Sequence, residues 1–278
     1  MSRPPDAARV LVVDVGNTRI KWAFWQAGRL GRQHAELYAG WTSEDFGRNL
    51  FGPTMQRARA PARIIVASVA DKNALRRLAA GVRRAMGGTA LELIATSRRA
   101  AGVVTRYREP WRLGVDRFVS VIAAHHLAGS RGACVINAGT AVTLDLVDGR
   151  GVHRGGAILP GPRLMIESLL QRTAGIAPRA TARASESRGA GARVGIRSAT
   201  FLARDTATAI EHGAAIAVAG AVERAVVESR RELEDAAPLV ILTGGGAAQL
   251  RRLLPIPCVE IPDLVLRGIA LHAGLALR

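Results

Sequence analysis

Asp14-Val15-Gly16-Asn17-Thr18-Arg19-Ile20-Lys21 is the stretch from which the fold of this chain is read. The apolar run Val10-Leu11-Val12-Val13 precedes it and Trp22-Ala23-Phe24-Trp25 follows it. An apolar run, a short polar turn and a second apolar run spell strand, tight turn, strand. Gly16 lets the backbone turn sharply and come close to a ligand. The N–H groups of such a turn, with the Thr18 hydroxyl, can point at phosphate oxygens. Lys21 adds positive charge there, and Asp14 can hold a metal ion, directly or through water. These are the parts of a nucleotide-phosphate site built on a β-hairpin. An ordinary hairpin with a polar turn would read the same way, and this stretch alone leaves both readings open.

The 278 residues are 49% hydrophobic, enough for a sizeable core in one large or two modest domains. No apolar run reaches the roughly 18–20 residues that cross a bilayer. The start, Met1-Ser2-Arg3-Pro4-Pro5-Asp6, has no signal-peptide apolar stretch. Cys134 and Cys258, the only cysteines, sit in apolar, strand-like contexts and read as buried small residues in a reducing compartment. No Cys/His spacing suggests zinc. The expectation is a soluble cytoplasmic protein with no membrane partner.

The formal charge of +17 raises a nucleic-acid reading. Against it, Lys21 and Lys72 are the only lysines, so nearly all the basic charge is arginine, and those arginines are scattered. Aromatic residues make up 4% of the chain, too few for a stacking platform interleaved with charge. No nucleic-acid partner is expected. The charge is compatible with acidic small molecules such as ATP.

Residues 9–38 read as a β-meander: Arg9–Val13, Ile20–Gln26 and Arg29–Tyr38, with Ala27-Gly28 as the second turn. A helix over Ser43–Leu50 with Ser43 as N-cap follows, then a strand at Arg63–Ser68, a helix from Asp71 to about Met86 and a strand at Leu91–Ala95. Leu113–Leu127 reads as a helix. Beyond it the opening pattern recurs: strand Ala133–Asn137, turn Ala138–Ala141, strand Val142–Val147, turn Asp148–Gly151, strand Val152–Leu159, helix Pro162–Thr173. Asp14 falls on Asn137, and Gly16-Asn17-Thr18 near Gly139-Thr140-Ala141, which argues for two related halves. Residues 178–197 lack apolar periodicity and read as a mobile surface loop, a candidate lid. Ala199–Arg231 reads as a long helix, Leu239–Leu242 as a strand and Leu264–Leu277 as a closing helix.

Three further stretches carry chemistry. Ala138-Gly139-Thr140-Ala141 is the counterpart of the first turn, and two such hairpins facing each other could hold a polyphosphate from both sides. Thr243-Gly244-Gly245-Gly246, after a strand and before a short helix, suits close approach to a nucleotide, or is a plain flexible turn. In Tyr107-Arg108-Glu109-Pro110-Trp111-Arg112-Leu113-Gly114-Val115-Asp116-Arg117, Pro110 stops regular structure and Gly114 sits where a helix begins. Asp116 and Arg117 then fall in its first turn. An acid there can accept a proton from a substrate hydroxyl, and an arginine can bind a carboxylate. The bland alternative is capping by Asp116 with a solvated Arg117. A P-loop and a Gly-x-Gly-x-x-Gly after a strand are both missing, which disfavours those nucleotide folds.

Taken in order, these motifs resemble the type III pantothenate kinases of the acetate/sugar kinase–Hsp70–actin superfamily. That family shows Asp-x-Gly-Asn-Thr-x-x-Lys, Leu-Gly-x-Asp-Arg, a Gly-Thr-Ala turn, Gly-Gly-x-Ile-x-Pro-Gly and a late helix with a threonine. Here they stand as Asp14–Lys21, Leu113–Arg117, Gly139–Ala141, Gly155-Gly156-Ala157-Ile158-Leu159-Pro160-Gly161 and Asp205-Thr206. The resemblance implies an α/β fold of two ribonuclease H-like, actin-like ATPase domains, 1–125 and 126–278, each a mixed five-stranded sheet flanked by helices.

The resemblance also implies ATP-dependent phosphorylation of pantothenate at its primary hydroxyl. It gives Asp14, Val15, Gly16, Asn17, Thr18, Arg19, Ile20 and Lys21 to ATP, with Thr140 from the second half. It gives Tyr107, Gly114, Val115, Asp116, Arg117 and Thr206 to pantothenate, with Asp116 as proton acceptor. It implies Mg²⁺ and a monovalent cation, K⁺ or NH₄⁺, and a homodimer in which Thr206 can act from the partner chain. Many relatives carry aspartate, which helps bind the monovalent cation, where this chain has Asn137, so that requirement is expected to be weakened or absent here. The family includes accessory factors of virulence-gene transcription, which leaves a regulatory role with a transcription-regulator partner as an alternative. A kinase of the same superfamily acting on a sugar or small acid is another.

Overall fold

The computed structural model describes residues 9–52, 60–87, 89, 91–173 and 202–277. The stretch 178–197, read above as a surface loop, lies outside the described residues. The chain forms two compact units. The first is Met1–Ser130, Val147–Gly155 and Asp263–Arg278, and the second is Arg131–Leu146 and Gly156–Pro262.

In chain order the elements are β1 (Val10–Val15), β2 (Arg19–Gln26), β3 (Arg29–Leu30), β4 (His34–Leu37), α1 (Ser43–Phe51), β5 (Arg63–Ser68), α2 (Lys72–Met86), β6 (Leu91–Leu93), β7 (Arg99–Ala100), β8 (Val103–Thr105) and α3 (Val115–Ala128). There follow β9 (Ala133–Ala138), β10 (Ala141–Val147), β11 (Val152–Pro160), α4 (Pro162–Arg172), α5 (Thr206–Glu232), β12 (Leu239–Thr243), α6 (Ala247–Arg251), β13 (Val259–Glu260) and α7 (Leu264–His272). The fold is α/β; among the described residues it has two mixed sheets, one of six strands and one of seven. Both exceed the expected five: the strand read over Arg29–Tyr38 is split into β3 and β4, and β7, β8 and β13 are too short for an alternating pattern to announce them.

The first unit is organised by β1. Its unbroken apolar run is buried along its whole length, as expected of a strand covered on both faces. Leu11, Val13 and Val15 pack with Phe46 and Leu50 of α1 and Leu78 of α2. Val10 and Val12 pack with Val115 and Val119 of α3 and Val265 and Ile269 of α7. The first sheet runs β3-β2-β1-β5-β6, with β4 also on β2. β1 pairs antiparallel with β2 and parallel with β5, so the end of β1 is fixed from both sides. Helices α3 and α7 touch so closely that a side chain at Gly268 would run into the Val119 carbonyl.

Several boundaries differ from expectation. The third strand of the meander is two short strands, both on β2, broken at the apolar-poor Gly31-Arg32-Gln33. Thr42, not Ser43, caps α1: its hydroxyl accepts from the Asp45 N–H, and the Asp45 carboxylate accepts from the Thr42 N–H. The closing helix stops at His272, although Leu275 and Leu277 still pack on the core. The described part of the long helix begins at Thr206, capped by Asp205.

In the second unit β12 lies parallel to β9 on one side and to β13 on the other. The strand order of this sheet is β13-β12-β9-β10-β11-β8-β7. Cys134 is buried, and burial pushes its thiol up to about 12. Cys258 is only half-buried, a correction to the sequence reading. Among the described residues no helix is long and apolar enough to cross a membrane.

Candidate active site

The β1–β2 hairpin sets Asp14 opposite Lys21 in the strand register, with Lys21 Nζ 3.9 Å from Asp14 Oδ2. Asp14 is only 6% exposed. Burial pushes its pKa up to about 6, Lys21 pulls it down and the Asp116 charge pushes it up. Two carboxylates and one ammonium therefore share this end of the sheet. The turn between the strands is closed by the Gly16 N–H donating to the Arg19 carbonyl at 3.0 Å. Tyr38 pins it from below, its hydroxyl donating to the Gly16 carbonyl at 2.6 Å. Val15 and Ile20 are fully buried in the core, so they can offer a ligand only backbone groups. Asn17, Thr18 and Arg19 are exposed at the tip.

A single turn of 3-10 helix, Pro110–Arg112, leads into α3. Gly114 occupies the N-cap of α3, a position with no side chain to cap the helix. The Asp116 carboxylate lies over Gly114: a Cβ there would come within 2.6 Å of Asp116 Oδ1. Arg117 is 5% exposed, not solvated. Burial of Arg117 sets aside the solvated half of the bland alternative. A half-buried acid and a buried guanidinium stand in the first turn of α3, beside unsatisfied helix N–H groups.

Arg117 Nη1 donates to the Tyr107 hydroxyl at 2.9 Å. Tyr107 lies flat on His153, with ring centroids 5.8 Å apart and planes 11° from parallel. Thr105 joins the pair: its Oγ1 is 2.9 Å from His153 Nδ1 and accepts from the Tyr107 N–H at 3.2 Å. Arg98 holds the same segment, donating to the Thr105, Tyr107 and Arg108 carbonyls. Asp14, Lys21, Tyr107, Gly114, Asp116 and Arg117 all belong to the first unit.

The second unit carries Asn137, Thr140 and Thr206. Its hairpin is one residue shorter at the turn than the first, Gly139-Thr140 between β9 and β10. The Gly139 N–H donates to the Ala141 carbonyl at 3.1 Å, and the Thr140 carbonyl accepts from Gly161 at 2.9 Å. Asn137 pairs in register with Thr243, as Asp14 does with Ala67 in the first sheet, so the duplication read from sequence extends to the neighbouring parallel strand. Gly244, at φ +91°, could not carry a side chain: a Cβ would sit 2.5 Å from Asn137 Oδ1. Thr243 Oγ1 is buried with no hydrogen-bond partner among the described residues. Thr206 opens α5 and lines a cleft of about 800 Å³ with Met165 and Leu169 of α4 and Ala209 and Ile210 of α5.

The family model described as type III pantothenate kinase matches residues 10–228, which takes in every site residue named above except Thr243 and Gly244. The chain belongs to the type III pantothenate kinase family. Relatives bearing that name include one from Alkalilimnicola ehrlichii, 38% identical over 94% of this chain and 96% of its own length. Another, from Halorhodospira halophila, is 36% identical over 93% and 95%. Among solved structures, the activator of the 2-hydroxyisocaproyl-CoA dehydratase from Clostridium difficile superposes with a TM-score of 0.49 at 14% identity, covering 95% of this chain and 94% of that one.

For a kinase of this family, the residues that sequence reasoning passed over are Tyr38, Arg98, Thr105 and His153. Tyr38 and His153 act through contacts distant in the chain, Thr105 and His153 being 48 residues apart. The only local signal was a histidine beside the Gly155-Gly156 pair. Among the described residues no three His, Cys, Asp or Glu side chains cluster to hold a metal by protein groups alone.

Proposed function

We propose that this protein transfers the γ-phosphoryl group of ATP to the primary hydroxyl of pantothenate, giving 4'-phosphopantothenate and ADP, the first step of coenzyme A synthesis. The observation that carries this reading is the placement, in one compact unit, of a phosphate-ready hairpin bearing Asp14 and Lys21 with Asp116, whose charge Asp14 feels. Phosphoryl transfer asks mainly for positioning and charge neutralisation, which these groups supply.

The turn N–H groups and the Thr18 hydroxyl face the phosphates, and Lys21 offsets their charge. Thr140 offers the same kind of turn from the second hairpin. Arg117 takes the pantothenate carboxylate, its guanidinium held by the Tyr107 hydroxyl. Tyr107 accepts from Arg117, so its own O–H proton remains available to the substrate. Asp116 accepts the proton of the attacking hydroxyl as oxygen bonds to the γ-phosphorus, and the bond from that phosphorus to the β-phosphate oxygen breaks.

Asp14 and Asp116 fit a Mg²⁺ ion: they are hard oxygen donors, and Asp14 is a buried carboxylate that burial and a like charge hold partly protonated. When bound, Mg²⁺ neutralises charge on the transferring phosphates. For a K⁺-sized cation Asn137 and Thr243 offer neutral oxygens, which supports a weak or absent requirement. A homodimer accounts for α4, whose Leu164, Ile166 and Leu169 are not buried, and places Thr206 of the partner subunit within the proposed assembly. The intact Asp14, Lys21, Asp116 and Arg117 disfavour a purely regulatory role.

The test is a coupled ADP-release assay with pantothenate and ATP, beside a panel of sugars and small acids. Turnover that requires pantothenate supports the reading. Turnover with a sugar and none with pantothenate overturns it.

A further inference from the structure

We infer that His153 is a positioning residue for the carboxylate-binding pair Tyr107–Arg117, and that it acts with its Nδ1 as an acceptor and its proton on Nε2. The inference rests on the proposed role of that pair in binding pantothenate.

The tautomer follows from counting protons around Thr105. That hydroxyl is 1% exposed and has one proton and two lone pairs. It accepts from the Tyr107 N–H, which uses one lone pair. If His153 Nδ1 also donated to it, the Thr105 proton would be left buried with nothing to bond, at a cost typical of an unsatisfied buried donor. With Nδ1 as acceptor, the groups around Thr105 are all satisfied: the Tyr107 N–H donates to Thr105 Oγ1, and the Thr105 O–H donates to His153 Nδ1 at 2.9 Å. The register agrees, since β11 lies parallel to β8 with His153 opposite Thr105.

This chain of bonds fixes the imidazole plane, and the imidazole plane fixes Tyr107. The two rings are offset and nearly parallel, an arrangement that limits tilt of the phenol. The phenol oxygen in turn meets Arg117 Nη1. Arg98 holds the backbone on which Tyr107 stands through its carbonyls, whereas His153 meets the ring itself, beside the Arg117 guanidinium 5.7 Å from the ring centroid. His153 itself is 0% exposed, so its ring presents no surface for a substrate to touch. Its influence is therefore on how well the carboxylate is held and not on the transfer of phosphate.

A residue that only orients a binding group raises KM for that ligand and leaves kcat nearly unchanged. The expected result for His153→Ala is KM for pantothenate raised about tenfold, with KM for ATP and kcat within about twofold. His153→Phe restores the stack without the Thr105 acceptor and recovers about half of that loss on a logarithmic scale. In a Tyr107→Phe background, where Arg117 has already lost its phenol oxygen, His153→Ala adds less than about twofold. Equal loss in kcat and both KM values, an unchanged KM for pantothenate, or effects that multiply in the double variant would overturn the inference. Tyr107→Phe and Arg117→Ala keep the two readings apart: if neither alters KM for pantothenate, the substrate site itself is misassigned; if both do and His153→Ala does not, only the positioning role fails. Where the alanine variant does not fold, ¹⁵N chemical shifts of the wild-type imidazole decide, since a proton on Nδ1 contradicts the inference and a proton on Nε2 supports it.

Discussion

Lys21 stands opposite Asp14 across the β1–β2 hairpin, its Nζ 3.9 Å from Oδ2, and yet the Asp14 carboxyl titrates near 6. One ammonium does not offset the burial of the acid and the nearby Asp116 charge. The first unit holds a carboxylate in a setting that favours a proton or a second cation, which is the setting a Mg²⁺–nucleotide would relieve.

That tension has a stability consequence. The folded-state value, about 6, lies above the ordinary aspartate value of 3.8. Between those two pH values the folded chain keeps a proton that the unfolded chain has released, so stability falls as pH rises through the window. The shift corresponds to about 3 kcal/mol at pH 8. Asp14→Asn is expected to raise the stability of the ligand-free protein by about 2 kcal/mol at pH 8, less than the full shift because Lys21 loses its partner, and to change it little at pH 4. Urea unfolding at both pH values checks this, and the same variant should lose nucleotide-dependent turnover.

The same carboxyl must be ionised to help hold a cation. The limiting kcat/KM for ATP is expected to decline below about pH 6, the value at which Asp14 titrates. Binding of Mg²⁺–ATP at pH 6 should release a proton, read as a dependence of the binding enthalpy on buffer ionisation. The absence of any such dependence would remove Asp14 from the cation site.

Tyr38 donates to the Gly16 carbonyl at 2.6 Å and holds the hairpin turn in place. Tyr38→Phe removes that bond and should cost about 1 kcal/mol of stability. It should also raise KM for ATP about threefold with KM for pantothenate unchanged. Steady-state kinetics with each substrate varied separately checks the split.

Asn137 offers one neutral oxygen, and the Thr243 hydroxyl beside it in register has no partner among the described residues. Asn137→Asp should restore or strengthen activation by K⁺, seen as turnover that rises with added KCl at constant ionic strength. Wild-type turnover should change less than about twofold over the same range.

Much of this was legible in the sequence, for identifiable reasons. The β1–β2 hairpin announced itself because an unbroken apolar run can bury both faces of a central strand, and a glycine turn follows it. The first turn of α3 was legible because Pro110 and Gly114 punctuate it. What the sequence hid was set by distance and brevity. Strands of two or three residues, such as β7, β8 and β13, show no periodicity. Thr42 outcompetes Ser43 as the cap because only Thr42 has Asp45 three residues on to complete the box. Tyr38, Thr105 and His153 look like ordinary residues of strands and turns until folding brings them to Gly16 and Tyr107.

The central claim is that Asp116 takes the proton of a pantothenate hydroxyl while the Asp14–Lys21 hairpin holds the nucleotide. Its most direct test is single-turnover phosphoryl transfer from ATP to pantothenate by the wild-type protein and by Asp116→Asn, with binding of both substrates measured in parallel. The account predicts pantothenate-dependent transfer by the wild type, and transfer slowed by about 10²–10⁴-fold in the variant with both substrates still bound. Transfer at the wild-type rate by Asp116→Asn would contradict it.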